Sequence, residues 1–204
     1  ILKRANLLRK DSVHGKMHGT IVDDLENSAL IINGQVVKLI YSNAPGSVDF
    51  TEYGIEDALL IDNTGVWRDR AGLEKHLGSK GISQVLLTAP GKGDIPNIVY
   101  GVNQEDFKPG QDTVYSAASC TTNAITPVLK VIEDKLGIER GHIETVHSYT
   151  NDQNLLDNYH KKYRRGKSAA MNMVITETGA ASAIKKVLPS LTKDITGNAV
   201  RVPT

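Results

Sequence analysis

The sequence predicts an α/β protein organised around a parallel sheet, and three features predict it. Short apolar runs at residues 57–61, 84–88, 97–101 and 113–115 have the length of buried strands. Residues 68–77 read as a helix between the first two, so strands and helices alternate. The strand exits are polar or rich in Gly and Pro: Asp62, Asn63, Thr64 and Gly65 after the first, Ala89, Pro90 and Gly91 after the second. Ligands of such sheets sit outside the carboxyl ends of the strands, where Thr64, Gly65 and Thr88 fall.

The other elements follow in chain order. Leu2, Ala5 and Leu8 share one face of a short amphipathic helix over residues 2–9. Residues 11–15 read as a turn. Two strand-like runs within residues 29–40 flank Asn33 and Gly34, the dipeptide that favours a tight β-hairpin turn. Later, residues 125–136 read as a helix ending at Gly137, with Pro127 either tolerated early in it or starting it behind a Thr126 cap. Residues 143–147 read as a strand, 151–168 as a long polar loop, and 178–188 as a helix closed by Pro189.

Composition narrows the function classes. Lys plus Arg is 24 and Asp plus Glu is 23, so net charge gives no argument for nucleic acid or membrane. No apolar run approaches the roughly 20 residues of a membrane-spanning helix. The single cysteine rules out an internal disulfide framework and fits a reducing compartment. No residue pattern points to a metal. The first ten residues lack the long apolar core and small-residue cleavage site expected of a signal peptide, and Met is not the first residue. The sequence reads as an internal piece of a longer protein.

That cysteine, Cys120, lies between the strand-like run of residues 112–118 and the following helix. Unpaired N–H groups at a helix start stabilise a thiolate, and a thiolate is a nucleophile. A lone cysteine is more often a small apolar side chain, so its neighbours decide the matter.

Those neighbours form a set: Ser119 to Asn123, Thr145 to Gln153, Tyr163 to Arg165, Glu177 to Ala181, and Arg201 to Thr204. In this order and spacing they closely resemble the glyceraldehyde-3-phosphate dehydrogenase family. Residues 11–15, 52–54 and 63–65 match that family too, so the resemblance runs the length of the chain. Residues 63–69 resemble its longer bacterial members, which carry an N-terminal extension.

The resemblance implies a partial Rossmann-type parallel-sheet NAD-binding domain at residues 1–119, without its N-terminal Gly-rich part. Part of an α+β catalytic domain would follow at residues 120–204, without its C-terminal part. It also implies a cytoplasmic homotetramer that converts D-glyceraldehyde 3-phosphate, NAD and inorganic phosphate into 1,3-bisphosphoglycerate. The 204 residues alone are then expected to be inactive. NAD is not separated from NADP, because the residue that reads the ribose 2′ position is expected before Ile1.

By position, Cys120 matches the nucleophile and His147 its acid–base partner. Thr150 and Arg201 match the substrate-phosphate contacts. Ser119, Thr121, Arg165, Thr178 and Gly179 match the contacts of the attacking phosphate. Thr64, Gly65, Thr88 and, more loosely, Asn43 match cofactor contacts. Hydroxyls, helix-start N–H groups and guanidinium forks are what phosphate recognition needs.

Each assignment has a plainer structural counterpart. His147 could be a satisfied strand histidine, and Thr178 with Gly179 could simply cap a helix. The basic run at residues 160–167 reads as a solvated or intersubunit loop rather than a nucleic-acid patch. Two other functions are weighed: erythrose-4-phosphate dehydrogenase, disfavoured by residues 178–181, and a non-catalytic redox-sensing or partner-binding role.

Overall fold

In the computed structural model the chain packs as two compact units, residues 1–48 and 49–204. The structure describes residues 1–108, 110–176, 178–191 and 194–204. Glu177, part of one quoted motif, lies outside the described residues.

The first unit opens with α1 (Leu2–Arg9), of which only Ala5 is buried. Leu2 and Leu8 are exposed, so the expected apolar stripe narrows to one small residue. Two short strands, β1 (Lys10–Asp11) and β2 (Gly15–Lys16), pair across the expected turn. The Asp11 carboxylate accepts from the N–H groups of Val13 and His14 there, which holds that carboxyl below its usual range. An antiparallel sheet follows, with β3 (Ile21–Asp24), β4 (Ala29–Ile32) and β5 (Gln35–Lys38) in that order. Asn33 and Gly34 turn the β4–β5 hairpin at φ of 50° and 83°. Both central residues of that turn type need the left-handed region, which Asn and Gly adopt most readily.

The second unit holds two sheets. Strands β6 (Ala58–Asp62), β7 (Ile82–Leu87) and β8 (Val114–Ser116) pair in parallel in that order. Helix α2 (Arg70–Glu74) crosses between β6 and β7, capped by the Asp69 carboxylate on the Gly72 N–H and continued by a 3₁₀ turn. Leu73, Val85, Leu87, Ile95 and Val114 form the core beside this sheet. The expected strand at 97–101 is reduced to a single bridge between Asn97 and Ser116. Side chains satisfy the backbone there instead: Asn97 donates to the carbonyls of Gly91 and Ile95, and Asn103 accepts from the Val99 N–H.

The remaining elements are α3 (Cys120–Leu136), β9 (Arg140–Ser148), β10 (Val174–Thr176), α4 (Ala180–Val187) and β11 (Asp194–Val202). The second sheet runs β10-β11-β9, with β11 parallel to β9 over nine residue pairs and antiparallel to β10. Ile184, Leu188, Leu191 and Ile195 form its core with Ile125, Leu129 and Ile143 packed against them. Pro127 lies inside α3, which begins seven residues before it. The Thr126 hydroxyl, instead of capping, donates to the Thr122 carbonyl one turn earlier.

Candidate active site

The site is built where α3, α4 and the ends of β9 and β11 come together. Helix α3 starts five residues earlier than the apolar pattern indicates, because Ser119 caps it: its hydroxyl accepts from the Thr122 N–H at 3.0 Å. Cys120 is therefore the first helical residue. The chain reaches it through Ala118, buried and held at φ 59°, with its N–H donated to the Ser116 hydroxyl at 2.9 Å. A non-Gly residue in that region is strained, and such strain collects where geometry matters. Asn123 fixes the approach further by donating to the carbonyls of Ala117 and Ser119. The N–H groups of Cys120 and Thr121 find no partner among the described residues.

Cys120 is exposed, and its Sγ lies 3.9 Å from His147 Nε2. His147 Nδ1 lies 2.7 Å from the Ser148 carbonyl oxygen, which can only accept, and 3.2 Å from Arg201 Nη1, which can only donate. Nε2 is the ring nitrogen that faces the sulfur. Parallel pairing of β9 with β11 sets His147 beside Arg201. Arg201 donates to the Ser148 carbonyl at 3.0 Å and reaches the Thr150 hydroxyl at 3.4 Å.

A cleft of about 320 Å³ opens over these groups. Ser119, Cys120, Thr121, His147, Arg165, Thr178, Gly179 and Arg201 all line it. Thr150 is placed through Arg201 rather than on the cleft wall. Gly179 is the N-cap of α4, and the Thr178 hydroxyl accepts from the Ala180 N–H at 3.2 Å. The plainer capping reading therefore holds geometrically, and the same helix start faces the cleft.

Arg165 sits on a 3₁₀ turn, Tyr163–Gly166, with its Nε donating to the Thr176 hydroxyl at 3.1 Å and Nη1 paired with Asp152. Burial pushes the Asp152 carboxyl up, but the Arg165 bond and charge outweigh it, with help from His160 and Lys162. The net result is a carboxyl below its usual range. Arg201 is shifted the other way for a base. Burial lowers it first, and the like charge of Arg165 lowers it again. Two guanidiniums in one cleft repel, and an anion between them relieves that repulsion.

Thr145, Lys162 and Thr176 also line the cleft, and the sequence reading gives none of them a role. The Thr145 hydroxyl is buried without a partner among the described residues. Its position two residues before His147 on the same strand face was the available signal.

Thr64, Gly65 and Thr88 stand just past the ends of neighbouring strands β6 and β7. Gly65 has φ +72°, and a Cβ there would meet nothing within 4 Å. A ligand can thus approach that backbone closely, which fits a dinucleotide contact. Asn43 is exposed in the first unit.

The second unit thus combines a Rossmann-like parallel sheet with a cysteine–histidine cleft in an α/β architecture. Residues 2–70 match the model of the glyceraldehyde 3-phosphate dehydrogenase NAD binding domain, and residues 119–204 match that of its C-terminal domain. The chain belongs to the glyceraldehyde-3-phosphate dehydrogenase family. It is 61% identical to a glyceraldehyde-3-phosphate dehydrogenase-like protein of Pseudomonas aeruginosa (strain UCBPP-PA14), over 100% of this chain and 44% of that protein. Glyceraldehyde-3-phosphate dehydrogenase of Priestia megaterium (strain DSM 319 / IMG 1521) is 42% identical over 98% of the chain and 58% of its own length. The chloroplastic A form of Zea mays is 43% identical over 100% of the chain and 49% of its own length. The chain thus spans about half the length of the curated relatives it matches. No helix among the described residues is long and apolar enough to cross a membrane.

Proposed function

We propose that the intact protein is an NAD-dependent phosphorylating aldehyde dehydrogenase acting on D-glyceraldehyde 3-phosphate. The observation that carries this reading is the Cys120–His147 pair, 3.9 Å apart, at a helix start in a cleft shared by Arg165 and Arg201. Residues 1–119 would serve the nucleotide and residues 120–204 the chemistry, in a cytoplasmic homotetramer.

In this mechanism Cys120 Sγ attacks the aldehyde carbon and a C–S bond forms. The backbone N–H of Cys120 is free to hold the developing oxyanion. His147 passes the thiol's proton to that oxyanion through Nε2, then takes it back as the C1 hydride departs and the thiohemiacetal becomes a thioester. When bound at Thr64, Gly65 and Thr88, NAD supplies the hydride acceptor. Arg201 and Thr150 hold the substrate phosphate. Arg165, Thr121, Thr178 and Gly179 hold inorganic phosphate, whose oxygen attacks the thioester carbon. The C–S bond breaks, 1,3-bisphosphoglycerate leaves, and Cys120 returns as thiolate. Ser119 already uses its hydroxyl to cap α3, so its share in phosphate binding is secondary.

The test is NADH formation by the intact protein with aldehyde phosphate and inorganic phosphate. It should require both and stop when iodoacetate has modified Cys120. Undiminished turnover by the modified protein sinks the reading.

A further inference from the structure

Asp62 is the last residue of β6, yet it is 2% exposed and its side chain carries an ionisable group. Nothing in the chemistry above uses it. A buried carboxylate is costly unless its oxygens are bonded, so its partners show what it is for. Oδ1 accepts from the Thr64 N–H at 2.7 Å. Oδ2 lies 3.2 Å from Nε2 of His76, which is itself 9% exposed. The Asp62 carbonyl accepts from the N–H of Thr88 at 3.0 Å and from its hydroxyl at 3.3 Å. One buried residue thus bonds to both strand-end threonines. His76 is fixed in turn by Trp67, whose ring meets it edge-on at 5.3 Å.

We propose that Asp62, held by His76, is a positioning residue for the nucleotide site: its side chain sets the backbone of the Thr64–Gly65 turn. The inference rests on the dehydrogenase reading and concerns how that site is shaped. The Asp62 carboxylate does not touch the cofactor. It fixes the direction of the Thr64 amide and hence the left-handed turn at Gly65, where a ligand can approach bare backbone. His76 fills the second oxygen's bonding need and keeps the carboxylate from rotating away from Thr64.

The experiment measures NAD affinity of the intact protein by titration calorimetry, alongside the rate at which iodoacetamide modifies Cys120. The single tryptophan of the chain, Trp67, reports the packing around His76 by its fluorescence. Asp62→Ala removes the acceptor for Thr64, and loss of such a bond is expected to weaken NAD about tenfold. Asp62→Asn keeps an acceptor oxygen and should stay within roughly threefold of the unaltered protein. His76→Ala should fall between them, and His76→Gln should recover most of the loss. Cys120 modification without NAD should keep its rate in all four. Unchanged NAD affinity in Asp62→Ala overturns the inference, as does an equal fall in NAD affinity and Cys120 reactivity, which marks general damage. Should Asp62→Ala fail to fold, unchanged affinity in His76→Ala overturns it. Absence of NAD binding by the unaltered protein defeats the dehydrogenase reading itself, and this inference with it.

Discussion

The turn after β6 and the cleft beside Cys120 both lie at the ends of regular elements, yet they use polar groups in opposite ways. At the turn, donors and acceptors meet each other: Asp62 bonds to Thr64, Thr88 and His76. At the cleft, groups are left with capacity. The Cys120 and Thr121 N–H groups have no partner among the described residues, and the Thr145 hydroxyl has none. Arg201 is destabilised by burial and by Arg165. A self-satisfied network holds a shape, whereas an under-satisfied one creates demand for a ligand. Under the proposed function, the nucleotide side is a preformed surface, and the cleft an anion site whose bonds are completed on binding.

The contrast can be broken most severely at His147. His147→Asn should lower turnover by roughly 10²–10⁴, the range for loss of one acid–base group. It should also slow iodoacetamide modification of Cys120 at neutral pH while NAD affinity is unchanged. Equal modification rates would separate the two side chains that lie 3.9 Å apart.

Next come the two guanidiniums. Arg201→Ala should raise the KM for the phosphorylated aldehyde, and Arg165→Ala the KM for inorganic phosphate, each roughly tenfold to a hundredfold. That is the usual worth of a hydrogen bond to a charged group. If both variants changed only the aldehyde KM, the cleft would hold one anion position rather than two.

The smallest effect concerns Asp152. Its folded carboxyl lies below the ordinary 3.8, so its contribution to stability is complete above that value. The contribution is lost as pH falls through the lower folded value. Asp152→Asn should melt at a lower temperature than the unaltered protein near neutrality, by an amount that shrinks in acid. The side chain is half exposed and solvent screens it, so the shift should be small. A gap that widens in acid would contradict the Arg165 pairing.

Much of the cleft was legible in the sequence because its residues come in short contiguous motifs. Ser119 to Asn123 and Thr145 to Thr150 carry chemistry and spacing together. The hairpin at Asn33 and Gly34 was legible because backbone sterics favour few residues there. Other features depend on partners distant in the chain. Asp62 and His76 are 14 residues apart and meet only once α2 folds back beside β7. β11 contains Gly197 and Asn198, which argue against a strand locally. Its pairing with β9 decides otherwise. The first turn of α3 is rich in hydroxyl and β-branched residues and hides a helix that the Ser119 cap makes possible.

The central claim is that Cys120 carries the substrate as an acyl group in a cleft that then admits phosphate. Mixing the intact protein with NAD and D-glyceraldehyde 3-phosphate, without inorganic phosphate, tests it directly by mass spectrometry of the intact and digested protein. The account predicts a burst of NADH matched by a phosphoglyceryl adduct on Cys120. Adding inorganic phosphate should release that adduct as 1,3-bisphosphoglycerate, and Cys120→Ser should give neither burst nor adduct. NADH formed with Cys120 unmodified, or formed by Cys120→Ser at the rate of the unaltered protein, would contradict it.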